Sequence, residues 1–319
     1  MNANDLHVVF GTGPVGMAVM EELSRKSCHI RMVSRSGQAA VPPGVEVVAA
    51  NAADPASATA AAQGAAVIYF CLNAPDYHRW PQQFPPLQAG VIAAAEATGA
   101  KLVVMENLYM YGPHGGQSMH EDMPFNARDP RGVTRAHMAR DLMAAHASGR
   151  LRAVSARASD FFGPRVLDSQ AGERVFYPAL AGKAVQILGD PDVPHAVTYM
   201  PDIGRALVTL GEHDTALGYA WHIPSHNITP RAFVEAIGAA AGTQPTVSAL
   251  KKSPVRAAIL TLLGLFNPPL RGLNSLMYEF DEPYVVDASA YEAAFGQQTT
   301  PLPEALAATV AWFRSNPPV

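Results

Sequence analysis

The chain has 319 residues, 49% hydrophobic and 16% charged, with a formal net charge of -4. Such a length predicts one large α/β domain with an appended lobe, and the composition excludes a disordered chain. The acidic balance excludes the basic field that a nucleic-acid backbone or an anionic membrane would need.

The N-terminal stretch MNANDLHVVF lacks a basic region followed by a long apolar run, so no export signal is expected. Cys28 and Cys71 lie in or beside apolar runs, which predicts reduced thiols and a cytoplasmic location. Short β-rich runs at 6–10, 29–34, 45–50, 66–72, 101–106 and 151–157 alternate with helical stretches at 15–26, 55–63, 80–98 and 133–147. That rhythm predicts a doubly wound parallel sheet of the Rossmann type, covered on both faces. After Asp160 the rhythm breaks into Gly- and Pro-rich chain with a short strand at 184–188 and helices near 202–210, 230–241 and 302–314. Residues 1–160 are therefore expected to form a nucleotide-binding domain. Residues 161–319 are expected to form a substrate-binding lobe interleaved with its sheet.

The run VVFGTGPVGMAVMEEL sets Gly11, Gly13 and Gly16 in GxGxxG spacing between a strand and an amphipathic helix, with Pro14 and Val15 inside the loop. Gly11 suits the tight turn, Gly13 the approach of a pyrophosphate, and Gly16 the close packing of helix on strand. An NAD site usually ends the second strand in Asp or Glu. Here Ser34, Arg35 and Ser36 offer a cation and two hydroxyls, which favours NADP(H) over NAD(H). Asp54, after the third strand, either meets the adenine amino group or caps the following helix. Asn73, ending the fourth strand, is expected to contact ribose or backbone beside the cofactor.

In MENLYMYGP, residues 105–113, Asn107 can donate its amide to a substrate oxygen, and Tyr109 and Tyr111 are the nearest phenols. The competing reading is that both tyrosines fill the strand end with their hydroxyls on backbone groups. Among the histidines, His114, His120, His222 and His226 lack a third ligand at convincing spacing, so no metal is expected. The apolar segment 257–266, bounded by Arg256 and Asn267-Pro268-Pro269, is too short to span a bilayer and predicts a buried helix or a lid. Met277 and Tyr278 either line an apolar pocket or pack in the core.

These features together resemble the short-chain dehydrogenase/reductase superfamily, in its extended, NAD-dependent epimerase/dehydratase-like branch. The carriers are the glycine loop, ENLYMYGP, ARASDFFGP (156–164), TYMPDIGRAL (198–207) and the closing YVVDASAYEAAFGQQTTPLPEALAATVAWF (284–313). The resemblance implies that Asn107 stands where the family has its catalytic serine, and that Ser159 and Asp160 lie near the nicotinamide. Asp160 would then be a base or a turn cap. It also implies a homodimer through two helices of the first domain, with 92–100 and 139–147 as contact segments. The family's Tyr-x-x-x-Lys pair occurs nowhere in the chain. Arg131 or Arg135 could supply the missing charge. The expected activity is NADP-dependent reduction of a small or medium hydrophobic carbonyl or conjugated alkene. The alternative is a non-catalytic NADP(H)-binding regulator.

Overall fold

The computed structural model describes residues 5–266 and 273–318, and the expected Asn267-Pro268-Pro269 stop lies outside them. The chain divides into two compact units. The first comprises the residues up to Met110, then Pro130–Arg157 and Ile203–Ile223; the second comprises Tyr111–Asp129, Ala158–Asp202 and the residues from Pro224 on.

Strands of the first unit are β1 (Leu6–Phe10), β2 (His29–Ser34), β3 (Glu46–Ala49), β4 (Ala65–Phe70), β5 (Lys101–Glu106), β6 (Arg152–Arg157) and β10 (Ala220–His222). They form one seven-stranded sheet in the order β10-β6-β5-β4-β1-β2-β3, and each neighbouring pair runs parallel. Parallel strands need crossovers, and helices α1 (Pro14–Arg25), α2 (Pro55–Ala61), α3 (Trp80–Thr98), α4 (Pro130–Ala147) and α6 (Met200–Glu212) supply them. Alternate residues Val8, Phe10, Ile68, Phe70, Leu102 and Val104 pack with Val91, Ala94, Met138 and Leu142 of α3 and α4. Residues pointing the opposite way, such as Val9 and Val103, are fully buried too. Both faces are covered, so the strands read as continuous apolar runs, and each such side chain contributes about 1.5–3 kcal/mol. Close approach on the second face depends on small residues. A side chain at Gly204 would meet the Ala18 carbonyl at 2.5 Å, and one at Gly211 the Tyr69 hydroxyl at 2.5 Å.

The second unit contains β7 (Asp160–Phe162), β8 (Val185–Leu188), β9 (His195–Tyr199), β11 (His226–Ile228) and β12 (Val247–Leu250). One three-stranded sheet runs β11-β9-β7 and one two-stranded sheet pairs β12 with β8. Helices α5 (Glu173–Leu180), α7 (Pro230–Ala241) and α11 (Leu302–Ser315) close a separate core of Phe162, Phe176, Val197, Phe233, Leu306 and Phe313. Helices α8 (Pro254–Phe266), α9 (Tyr278–Asp281) and α10 (Ser289–Phe295) complete the described elements.

Helix α8 departs from the first of its two expected readings, a buried helix. It buries Arg256, Leu260 and Gly264, and Arg256 forms a paired bond to Asp281 at 2.7 and 2.5 Å. The opposite side is open, with Leu262 57%, Leu265 64% and Phe266 83% exposed, so the helix is half-seated and not buried. The reason lies in its periodicity: apolar residues encircle it, while only one side meets the rest of its unit. Among the described residues no helix is long and apolar enough to cross a membrane.

Candidate functional site

The glycine loop sits where the sheet order reverses, between β1 and its neighbours β2 and β4. This is the switch point at which open α/β sheets bind ligands beyond their strand ends. Gly11 has φ of +116°, and a side chain there would strike the Cys71 carbonyl at 2.6 Å; one at Gly16 would meet the Gly11 carbonyl at 2.0 Å. Around Gly13, by contrast, a side chain would find nothing within 4 Å. Two glycines are thus demanded by packing and the third leaves open ground. That ground lies at the N-cap of α1, where no side chain caps the helix, Pro14 occupies the first turn and Val15 is half-buried. The positive end of the helix and its free N–H groups suit a pyrophosphate.

At the end of β2, Arg35 and Ser36 are exposed. Ser34 turns its hydroxyl to the Gln38 carbonyl at 3.2 Å and accepts the Gln38 N–H at the same distance, so it organises the turn that presents Arg35. Asp54 accepts the Ala56 N–H at 3.1 Å and caps α2. Asn73, three residues beyond β4, is exposed. Burial pushes the Cys71 thiol up, and both Cys28 and Cys71 are free.

The end of β5 carries a second cluster in the same unit. Asn107 is half-buried and its Oδ1 accepts the Tyr109 N–H at 3.4 Å, which leaves its amide N–H₂ as the donor. The hydroxyls of Tyr77 and Tyr109 are 2.5 Å apart. Their rings stand at 90°, and Trp80 lies over Tyr109 with centroids 6.0 Å apart. The Arg131 guanidinium lies 4.8 Å from the centroid of the Tyr77 ring. Sequence reasoning misses Tyr77; its only signal is the aromatic pair in PDYHRW just after Asn73.

Arg135, the other cation considered, serves elsewhere. It is 1% exposed and lies 4.6 Å from the Phe84 ring centroid. Its Nη2 stands 3.7 Å from Glu106 Oε1, while Glu106 Oε2 takes the Ser155 hydroxyl at 2.5 Å and Arg157 Nε at 3.3 Å. Burial holds the Arg135 guanidinium below its ordinary range, with Glu106 opposing that shift and Arg157 adding to it. The trio fixes the strand ends that carry Asn107.

Tyr111, Ser159 and Asp160 belong to the second unit. Tyr111 is 1% exposed with its ring against Phe125, a packing position. The Ser159 hydroxyl donates to the Ala196 carbonyl at 2.6 Å. Asp160 Oδ2 lies 2.9 Å from His195 Nε2, and His195 Nδ1 lies 3.1 Å from the Glu279 carbonyl. The two residues are 35 apart in sequence, and no spacing pattern connects them. Met277 is buried, and Tyr278 is edge-on to His114. His114 in turn faces the carbonyls of Gly112 and Pro283 at 3.2 Å each. Among the described residues no three His, Cys, Asp or Glu side chains converge as metal ligands.

The model of the NAD dependent epimerase/dehydratase family matches residues 8–223, ending where the first unit ends. No curated protein matches the sequence. Among solved structures the chain is similar to gox2253, with TM-score 0.82, 18% identity and 98% of each chain covered. It is also similar to a dTDP-glucose 4,6-dehydratase, DesIV, from Streptomyces venezuelae (TM-score 0.77, 16% identity, 98% of this chain and 97% of that one). A third is the UDP-glucose 4-epimerase of Thermus thermophilus (TM-score 0.74, 19% identity, 98% of this chain and 99% of that one).

Proposed function

The chain belongs to the NAD dependent epimerase/dehydratase family, and from that premise we propose that it is an NADP(H)-dependent oxidoreductase reducing a small or medium hydrophobic carbonyl or conjugated alkene. The observation that carries this reading is the open ground at Gly13 together with exposed Arg35 at the neighbouring strand end. One accepts a pyrophosphate at a helix N-terminus; the other offers a guanidinium fork to a 2'-phosphate. The DesIV and Thermus thermophilus structures were crystallised with NAD, which supports a dinucleotide site in general. The choice of NADP rests on Arg35, Ser36 and the lack of an acidic residue there. Cys28 and Cys71 as free thiols suit a cytoplasmic enzyme.

When bound, the dinucleotide supplies a hydride. The protein's own groups must then manage charge and proton. Asn107 donates its amide N–H to the oxygen on which negative charge develops. Tyr109 gives its phenolic proton to that oxygen as the carbonyl π pair moves onto it. Tyr77 then donates to the Tyr109 oxygen across the 2.5 Å contact, and the Arg131 guanidinium beside Tyr77 opposes the negative charge left on the phenol pair. This arrangement takes the place of a Tyr/Lys pair. A conjugated alkene asks less of it, since its enolate needs only the donors before protonation on carbon.

Two measurements test the reading. Fluorescence titration should give tighter binding of NADPH than NADH by about tenfold or more, a preference that Arg35→Ala removes. Preference for NADH would overturn the cofactor choice. With C4-deuterated NADPH and a panel of aliphatic ketones and enones, stereospecific loss of label is expected. Tight NADPH binding with no loss for any member would favour a non-catalytic NADP(H)-binding regulator.

A further inference from the structure

The second unit holds a pocket whose empty space, counted out through its mouth into open solvent, is about 620 Å³. Its walls are the inner side chains of β8, β9 and β11 and the flanks of α5 and α7. Val175, Ile187, Val197, Ile228, Phe233 and Phe280 are among its apolar lining residues, and the polar groups are Asp160, His195, Gln170, Gln186 and Asp190. Among the described residues no Lys or Arg lines it.

His195 is clamped. Its ring stacks on Phe280 with centroids 5.8 Å apart and planes at 7°, and on Tyr284 at 5.2 Å and 19°. Both ring nitrogens face oxygens: Nδ1 the Glu279 carbonyl, Nε2 the Asp160 carboxyl. Both ring nitrogens are therefore committed inside the clamp, and neither is left to face the pocket. Asp160 keeps a second carboxyl oxygen, and its side chain is 24% exposed at the pocket wall. Asp190, the other carboxyl group, is 3.3 Å from Lys251, and Arg231 is spoken for by Asp192 at 2.6 Å.

Phe280 is held by the chain itself. Gly189 has φ of +90°, and a side chain there would lie 2.1 Å from the Phe280 carbonyl, which also accepts the Asp190 N–H at 2.8 Å. The aromatic wall and the Asp160–His195 pair are therefore positioned before any ligand arrives.

We propose that this pocket is a site for an uncharged, largely hydrocarbon molecule bearing a hydroxyl group, which donates to Asp160. An anion is refused there. A diphosphate or carboxylate entering it would be desolvated against apolar walls and carboxyl oxygens, with no Lys or Arg among the described lining residues to receive it. A hydroxyl, by contrast, satisfies the acceptor, and the hydrocarbon takes the apolar area. The inference is compatible with the redox reading but goes beyond it, because it concerns one unit and needs no cofactor.

Calorimetric titration of the protein without nucleotide, using octan-1-ol, octanoate and UDP-glucose, tests it. Octan-1-ol should bind, octanoate should bind more weakly by about tenfold or more, and UDP-glucose should give no saturable signal. Asp160→Asn should narrow the preference for alcohol over carboxylate. Val175→Trp should abolish octan-1-ol binding. Val175 belongs to a core helix, so Gln170→Trp, at an exposed lining position, provides a second block that spares the core. Octanoate or UDP-glucose binding as tightly as octan-1-ol would overturn the proposal. So would no binding of octan-1-ol, or unchanged octan-1-ol affinity in a folded Gln170→Trp protein. None of these outcomes depends on hydride transfer, which the labelled-NADPH experiment reads separately.

Discussion

Tyr77 and Tyr109 share a hydroxyl contact of 2.5 Å, with Arg131 against the ring of the first. The proposed proton donor and its proposed support therefore come from different crossovers of one unit: Tyr77 precedes α3 and Tyr109 follows β5. Tyr109→Phe should lower kcat by about 10²–10⁴-fold, the span of a lost general acid, while NADPH affinity is retained. Tyr77→Phe leaves the acid in place but removes its donor, so kcat should fall less and its pH profile should move. Steady-state kinetics across pH on any substrate found with labelled NADPH checks both. Equal, small effects would reduce the pair to packing.

Glu106 is placed between the buried guanidiniums of Arg135 and Arg157. Removing its charge leaves two cations in a dry strand end, where breaking a buried pair costs about 3–5 kcal/mol. Glu106→Gln should lower urea-unfolding stability by that order. Ser155→Ala, which deletes one neutral donor to the same oxygen, should cost less, about 1–2 kcal/mol. If the two substitutions cost the same, the ionic account is wrong.

The glycine loop separates folding from binding. Gly13→Ala meets open space and an ordinary backbone conformation, so stability should change by less than about 0.5 kcal/mol while NADPH affinity drops. Gly16→Ala must push against the Gly11 carbonyl at 2.0 Å and should lower the melting temperature by itself. Thermal melts of both, with and without NADPH, give the comparison.

His7, the second residue of β1, is fully buried, with Nδ1 3.2 Å from the Tyr69 hydroxyl. Burial lowers its pKa from 6.5 to about 4. A folded value below the unfolded one means that the unfolded chain binds the proton first. Its contribution is therefore complete above pH 6.5 and is lost as pH falls from 6.5 towards about 4, at most about 3 kcal/mol. Unfolding free energies at pH 7 and pH 4.5 should differ less in His7→Asn than in the parent. An unchanged difference would mean that other groups carry the acid sensitivity.

Most of the first six strands are legible because they are short apolar runs buried on both faces, the half-buried edge strand β3 being the exception, and every helix between them has a boundary near a Pro, a Gly or a polar cap. Strand β10 has three residues, too few for any period to show. The lobe strands β7 and β11 are equally short. Arg35 and the glycines are recognisable because their chemistry depends on neighbours in sequence. Asp160 is a candidate without a partner until the chain folds, since His195 reaches it only through the pairing of β7 with β9. Tyr77 stays hidden for the same reason. Helix α8 is recognisable as a helix, but its exposure is not, because apolar composition cannot say how many neighbours an element will find.

Ile203–Ile223 return to the first unit after the chain has left it twice, and β10 pairs with β6 from that returning segment. On the ribosome, the first six strands can assemble early, yet β6 keeps an unpaired edge until the stretch around residue 222 has emerged. During that interval the nascent sheet is open to the wrong neighbour. The expected consequence of such delayed closure is a yield sensitive to synthesis speed and chaperone attendance, with slower translation of the stretch after Ile223 giving the late strand time to dock.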